Sequence, residues 1–544
     1  MASRSTASDA PGRTDRLLLV LVAAVSSAYC LTTARILGAT FDEPFYLEAG
    51  LDAWRRGTFK ELLSAGVMPL PAHLQTLPLY LRELAAGRPL SVASDLSSML
   101  PVARSVTLVF WLILLFYGMR LARAVGGPWA GRLAVTVIAL EPNFLAHAGL
   151  ATTDIALAAF LVMFACVYRE GRDQPWSRRI ALPAAVFGLA LASKASALTF
   201  GPMVIAAIEI ERWRLGHRPS SPRDGAMVFV AGTMLAVLYC GPGGEPSFQG
   251  MLSRMPVDHM LRPALAWFGS LPLSPNAFYA FWFQADHNNT GQPTFLLGVE
   301  NARSLWFYVP VLPAIKFPIA TLALMLWALV SHRPRLRLVL GLAGVVAVLM
   351  LMVRVQTGIR FLLPLMVFLV VGVASRVVTG IAALPAARRP LAISGLSLLL
   401  LWMAVGGARA WPDPLRHVNE LWGGPEHGYR VVSDSNYDWG QGLPELAQWQ
   451  QSHGEPTLIW YFGTDTRFPQ LRRFDPRRDS VDKAQPRARY LAVSSSLLYG
   501  GYLTADGPGR DLMLRLRRQM PETRTRTFFV FNADVIYESD AAGS

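Results

Sequence analysis

Phe41-Asp42-Glu43-Pro44-Phe45-Tyr46 stands directly after the first long apolar run of the chain and opens the amphipathic stretch LEAGLDAWRRG. A carboxylate pair at the mouth of an apolar segment is costly to desolvate, and such pairs are commonly kept for binding or proton transfer. The same residues also suit the start of an interfacial helix, where Asp and Glu complement the helix dipole and Pro44 fits the first turn. What decides between these readings is what the rest of the chain brings to the same face of the membrane.

The chain around this stretch is too apolar for a soluble globular protein of 544 residues: 52% is hydrophobic and only 16% charged. It reads as an all-α polytopic membrane protein. The formal charge of +14 falls mostly in short clusters between apolar runs, so it reports topology rather than a nucleic-acid partner. Cys30, Cys166 and Cys240 lie in or beside apolar runs with no paired or metal-ligand spacing, so neither a disulfide framework nor a zinc site is expected. Residues 1–16 read as a disordered cytoplasmic tail before an uncleaved first span, a signal peptide being the competing reading.

Apolar segments fall at 17–37, 102–121, 129–145, 151–167, 180–192, 195–210, 226–240, 305–330, 338–353, 361–375 and 391–405, predicting about 11 transmembrane helices in a region spanning 17–410. Arginines cluster in alternate connections: Arg120, Arg123 and Arg132; Arg169, Arg172, Arg178 and Arg179; Arg212, Arg214, Arg218 and Arg223; Arg333, Arg335 and Arg337; Arg376, Arg388 and Arg389. By the positive-inside rule these face the cytoplasm. The long connections 38–101 and 241–304 are then external, and so is everything after the last span, in a cell (plasma or inner) membrane protein whose N-terminus is cytoplasmic. Residues 411–544 turn polar and charged and predict an external α/β domain, with strands at 429–433, 457–462, 488–494, 527–532 and 534–538 and helices at 442–451 and 511–520.

The second external turn, Glu141 to Asp154, carries His147 and Asp154 on the side of Asp42. Asp154 also suits the cap of the next helix. Arg104, Lys194, Arg354 and Arg360 stand at outer ends of spans and Lys316 lies inside one, beside Pro318; snorkelling accounts for the end positions and less well for Lys316. Carboxylates and cations in one external cavity suit a reaction in which one group removes a proton and another steadies an anionic leaving group. Tyr46, His147 and His287 are candidate acceptor or sugar contacts. So are Asp434, Asn436, Asp438, Trp439 and Gln441 of DSNYDWGQ, a composition that builds a turn and helix cap equally well.

Taken in order, FDEPFY, EPNFLAHAGLATTD, GLALASKASAL, LWFYVPVLPAIKFP, TGIRFLLPL and DSNYDWGQGL resemble the protein O-mannosyltransferase superfamily, in particular its bacterial members that use a phospholipid-carried sugar, the group that includes the lipid A aminoarabinose transferases. The resemblance implies a GT-C fold, a polyprenyl-phosphate sugar as donor substrate without a further cofactor, and transfer with inversion to an external protein, lipid or glycan acceptor. It implies a catalytic role for Asp42 as general base, for Glu43 as the second acid and for Asp154. It places Arg104 at the donor phosphate and aligns Lys194, Lys316 and Arg360 with motif positions whose charge suits the same role. Relatives often read His-Pro-Pro-Leu followed by Lys where this chain has Met68-Pro69-Leu70-Pro71-Ala72-His73, so either His73 or another cation takes the lysine's place. A transporter or lipid flippase is the alternative class; it is disfavoured because no internal repeat is visible and the polar residues keep to one membrane face.

Overall fold

A computed structural model describes residues 12–217, 221–242, 252–253, 255–270, 276–330, 353–479, 487–500 and 507–541. Its first half runs through α1 (Arg13–Ile36), α2 (Glu43–Arg56), α3 (Lys60–Ser64), α4 (Leu70–Ala86), α5 (Val92–Gly126), α6 (Pro128–Leu140), α7 (Pro142–Ala148), α8 (Asp154–Gly171), α9 (Leu182–Ser193), α10 (Ala197–Arg214) and α11 (Pro222–Cys240). There follow α12 (Arg262–Ser270), α13 (Asn276–Thr290), α14 (Tyr308–Lys316), α15 (Ile319–Val330), α16 (Leu363–Ala383) and α17 (Arg389–Ala410). Among the described residues five helices are long and apolar enough to cross a membrane, or six if the bent pair α14–α15 counts as one span, so the chain is a multi-pass membrane protein. Of the eleven expected segments, 338–353 lies outside the described residues except for Val353.

Prolines set the corners. The expected helix 305–330 is two, with a bend of 115° between them, because the residue before Pro318 is pushed out of the helical region: Phe317 sits at φ −75°, ψ 137°. Glu141, before Pro142, is likewise extended at φ −77°, ψ 118°, so the expected run 129–145 ends at Leu140 and restarts as α7. α8 buries nearly every side chain, since Ala156, Ala158, Ala159 and Ala165 let α5 and α9 approach closely. α5 has 35 residues, about 52 Å at 1.5 Å per residue, and so overhangs a hydrocarbon layer of about 30 Å. The connection expected at 38–101 is therefore α2, α3, α4 and the first turns of α5, with α2 lying on α4.

The two ends of the bundle differ. At the start of α1, Asp15 takes Arg123 from α5 and Arg132 from α6, whose Nε lies 2.6 Å from Oδ1. Arg169–Glu211, Arg212–Asp173 and Arg179–Asp224 join the ends of α8 to α11 there. Asp42 lies at the other end, after α1.

Beyond α17 stands a five-stranded sheet, order β4-β3-β5-β7-β6, following a small hairpin of β1 (Thr294–Leu296) and β2 (Val299–Asn301). β3 (Thr457–Trp460) pairs parallel with β4 (Leu471–Arg473) and β5 (Tyr490–Ser494), and β7 (Phe528–Asn532) pairs antiparallel with β5 and with β6 (Thr523–Arg524). Alternation sends Ile459, Tyr490, Ala492, Phe528 and Val530 against α18 (Leu443–His453), and Leu458, Leu491, Val493, Phe529 and Phe531 into the core with Leu512, Met513 and Leu516 of α19 (Pro508–Arg518). Two expected strands are not strands. Residues 429–433 make a 3₁₀ turn over Gly428–Arg430 and a single bridge from Val432 to Leu296. Residues 534–538 belong to α20 (Asp534–Ala541), which follows an Asx turn in which Asn532 Oδ1 accepts from Asp534 N at 2.9 Å.

Candidate active site

After α1 the chain runs beside residues 439–441: Gly38 N donates to Gln441 O and Phe41 N to Trp439 O, both at 2.8 Å. A Cβ at Gly38 would lie 2.6 Å from Pro444 Cδ and 3.1 Å from Gln441 O, so only glycine permits that approach. Asp42 occupies the N-cap position of α2 yet makes no side-chain cap bond. Its Oδ2 instead accepts from Arg360 Nη1 at 2.9 Å and from the Tyr46 hydroxyl at 3.3 Å. Among the described residues nothing bonds Oδ1, and the side chain is 25% exposed, so that oxygen is open to an incoming group. Burial, reinforced by the Asp42 carboxylate, holds the Tyr46 phenol well above its ordinary value, which keeps it a donor.

Arg360 arrives on a turn before α16. Its guanidinium lies 4.3 Å from the centroid of the Trp439 ring and 5.2 Å from that of Phe361, and Nη2 donates to Thr357 Oγ1 at 3.2 Å. Lys194, at the end of α9, stands 4.6 Å over the same Phe361 ring and is ion-paired with Asp154, the first residue of α8. His147 from α7 meets Trp439 edge-on at 6.4 Å; burial pushes its imidazole down to about 3, so it is neutral. Two acid–cation pairs thus meet around Phe361 and Trp439. Both ring nitrogens of His147, Asp154 Oδ2, Thr152 Oγ1 and Arg360 Nε are buried there without a hydrogen-bond partner among the described residues.

Two residues expected in the chemistry are spent on structure. Glu43 is fully buried: Oε1 accepts from Arg104 Nε and Ala151 N, and Oε2 from Arg104 Nη2, Thr40 N and Thr40 Oγ1. Burial raises its pKa, but the guanidinium and the backbone donors outweigh this and hold it below the usual value. Arg104 gives its remaining donors to the carbonyls of Ala34, Leu37 and Gly38, so all of the five a guanidinium carries are committed and none is left for a phosphate. The pair braces the turn that presents Asp42. Breaking a buried pair leaves an uncompensated charge, so Arg104→Ala is expected to destabilise the protein by about 3–5 kcal/mol. Arg104→Lys should recover little of this, since an ammonium offers three donors and no fork. Thermal unfolding in detergent checks both; a wild-type midpoint in either would remove the bracing role.

The remaining candidates separate in the same way. Lys316 is buried and donates to the carbonyls of Leu415 at 2.9 Å and Asn436 at 2.8 Å, tying α14 to the segment after α17. His73 bonds the Tyr239 hydroxyl at 2.7 Å and stacks on Trp54; burial lowers it to about 4, so it supplies no cation in place of the missing lysine. His287 lies on α13 against Phe283. Of DSNYDWGQ, Asp434 accepts from Ser435 N, Asp438 from Ser495 Oγ and Ser496 N, and Gln441 both accepts from Trp439 N and donates to Asp413. Burial pushes the Asp438 carboxyl up to about 7. Trp439 is 2% exposed with Arg360 on its face, so it is a platform for the guanidinium rather than an open surface for a sugar ring. Phe361 was not singled out by sequence, although it follows Arg360 directly in TGIRFLLPL. No group of three or more His, Cys, Asp or Glu suited to a metal ion occurs among the described residues.

No family model matches the chain, and no curated protein does. Among solved structures it is similar to ArnT from Cupriavidus metallidurans bound to undecaprenyl phosphate, with 14% identity over 95% of this chain and 98% of that one and a TM-score of 0.47. It is similar to the Archaeoglobus fulgidus oligosaccharyltransferase in the apo form, with 12% identity over 89% and 70% of the two chains and a TM-score of 0.48. Arabinofuranosyltransferase AftD from Mycobacteria matches at 15% identity over 89% of this chain and 35% of its own, with a TM-score of 0.43. At such scores the likeness assigns no residue a role.

Proposed function

We propose that the protein is a membrane glycosyltransferase that moves a sugar from a polyprenyl-phosphate carrier to an external acceptor, with inversion. The observation that carries this reading is a carboxylate with one open oxygen, Asp42, placed beside the Arg360 cation and next to the Lys194–Asp154 pair at one end of a bundle of apolar helices. The acceptor oxygen attacks the anomeric carbon as its proton passes to Asp42 Oδ1. The bond from that carbon to the carrier phosphate breaks, and its electron pair stays on the phosphate oxygen, where Arg360 and Lys194 offset the charge that develops. Each cation is paired with a carboxylate, Arg360 with Asp42 and Lys194 with Asp154, and an arriving phosphate competes for both.

The reading needs an orientation. The arginine clusters between α5 and α6, after α8, after α10 and around the end of α16 lie at the end of the bundle opposite Asp42, while Arg218 and the cluster Arg333, Arg335 and Arg337 lie outside the described residues; this supports a cytoplasmic face there, in an arrangement of about eleven spans with the site and C-terminal domain outside. Deleting the gene should accumulate a lipid-linked sugar and remove a surface glycan, both by mass spectrometry, and a cytoplasm-only reporter fused after Ser544 should be silent. Unchanged lipid-linked sugars and glycans would sink the transferase reading; a strongly active reporter would sink the orientation.

A further inference from the structure

We propose that the segment from Ser435 to Gln441 is a clamp that sets Arg360 against Asp42, with Asn436 as its positioning residue; the catalytic part of this inference rests on the transferase reading above. The two members of the pair are 318 residues apart in sequence, and the same short segment holds both. On the Asp42 side the segment's hold is backbone to backbone, through Gly38 N to Gln441 O and Phe41 N to Trp439 O, and Thr464 Oγ1 adds a bond to Phe41 O at 2.8 Å.

On the Arg360 side it is made by side chains. Asn436 Oδ1 accepts from Ile359 N at 2.8 Å, one residue before Arg360, and Nδ2 donates to the Tyr308 hydroxyl at 2.8 Å. Its carbonyl accepts from Lys316 Nζ, also at 2.8 Å. Ser435 Oγ donates to Thr357 O, and a Cβ on Gly358 would lie 2.0 Å from that Oγ, so a glycine is what lets the turn seat against Ser435. Trp439 then lies under the guanidinium. Asn436 is 1% exposed, and among natural side chains of its size an amide alone supplies an acceptor and a donor from one planar head.

The segment is itself fastened to the sheet. Asp438 accepts from Ser495 Oγ and Ser496 N at 3.1 Å each, and Asp434 N donates to Ser496 Oγ at 3.0 Å, just past the end of β5. The domain after α17 therefore reaches Arg360 through this segment, while Phe462 and Thr464 add contacts to Phe41 on the Asp42 side, and this bracing accounts for a density of polar groups that no ligand needs to explain. Since catalytic groups misplaced by about 1 Å cost about 100-fold in rate, a clamp of this kind acts on turnover more than on donor affinity.

Full-length protein in detergent, compared by hydrogen–deuterium exchange and by sugar transfer, tests this with Asn436→Leu, which has the size but neither hydrogen bond, and Asn436→Asp, which keeps the acceptor for Ile359 N. Leaving a buried N–H without its acceptor should raise exchange in a peptide covering 353–362 by about tenfold in Asn436→Leu and far less in Asn436→Asp, with a reference peptide in α5 unchanged. In the transfer assay Asn436→Leu should lose about 100-fold in kcat with KM nearly constant, and Asn436→Asp should recover most of it. Wild-type exchange in Asn436→Leu overturns the clamp, and raised exchange with normal kcat overturns its positioning role. If Asn436→Leu fails to fold, Ser435→Ala, which removes only the bond to Thr357, should show a smaller rise over 353–362, and no rise there overturns the proposal. A wild-type protein that transfers no sugar would fell the transferase reading, and exchange would still decide the clamp.

Discussion

Asp42→Asn should abolish sugar transfer, by roughly 10²–10⁴-fold, in a protein that remains folded and still binds its lipid donor. An acceptor hydroxyl is a poor nucleophile while it keeps its proton, and Asp42 Oδ1 is an open carboxylate oxygen at this site, unbonded among the described residues. The amide keeps one oxygen to accept from Arg360 and Tyr46, so the contacts that hold the side chain survive, while the NH₂ it turns toward the acceptor cannot take up a proton. Glu43→Gln separates itself by its stability: it weakens the buried pair with Arg104, so any loss of activity should come with a lowered unfolding midpoint. Transfer near the wild-type rate in purified Asp42→Asn would remove Asp42 as the base. If Glu43→Gln were also active, the enzyme reading would go with it.

That division between neighbours shows how far the sequence could be read. An acidic pair after an apolar run marks the place, but residues on a helix point about 100° apart, and which of two acids turns inward depends on where an arginine 61 residues later falls. Arg104, Lys194, Lys316 and Arg360 look alike as cations near span ends. What distinguishes them is the count of acceptors already around each: carbonyls and Glu43 around Arg104, two carbonyls around Lys316, a single carboxylate for Lys194. Those partners are distant in sequence and leave no periodic trace. The amphipathic helix after Asp42 and the strands β3, β5 and β7 were legible because each follows from a local pattern. Residues 534–538 misled because Val535, Ile536 and Tyr537 favour strands, while the Asx turn at Asn532 ends β7 and turns the chain into a helix. Prolines 142 and 318 were visible, and their effect on the preceding residue is the local rule that turns single apolar runs into corners.

Arg360→Ala should lower transfer by about 10²–10³-fold, the usual loss when a fixed donor aimed at a developing anion is removed from a water-poor site. Arg360→Lys should not restore it, since an ammonium cannot hold Asp42 and Thr357 together while lying on Trp439. Lys194 needs a different experiment. Asp154 is 1% exposed in its side chain, so Lys194→Ala would leave a buried carboxylate unpaired, and a dead enzyme would say nothing about phosphate. The double variant Lys194→Ala, Asp154→Asn removes both charges and with them that penalty. If Lys194 only balances Asp154, the double variant should regain activity that Lys194→Ala lacks; if Lys194 also meets the donor, activity should stay low and affinity for a polyprenyl phosphate should fall. Near-normal transfer in both Arg360→Ala and the double variant would mean that these cations serve the fold alone, and the leaving phosphate would have to be stabilised elsewhere.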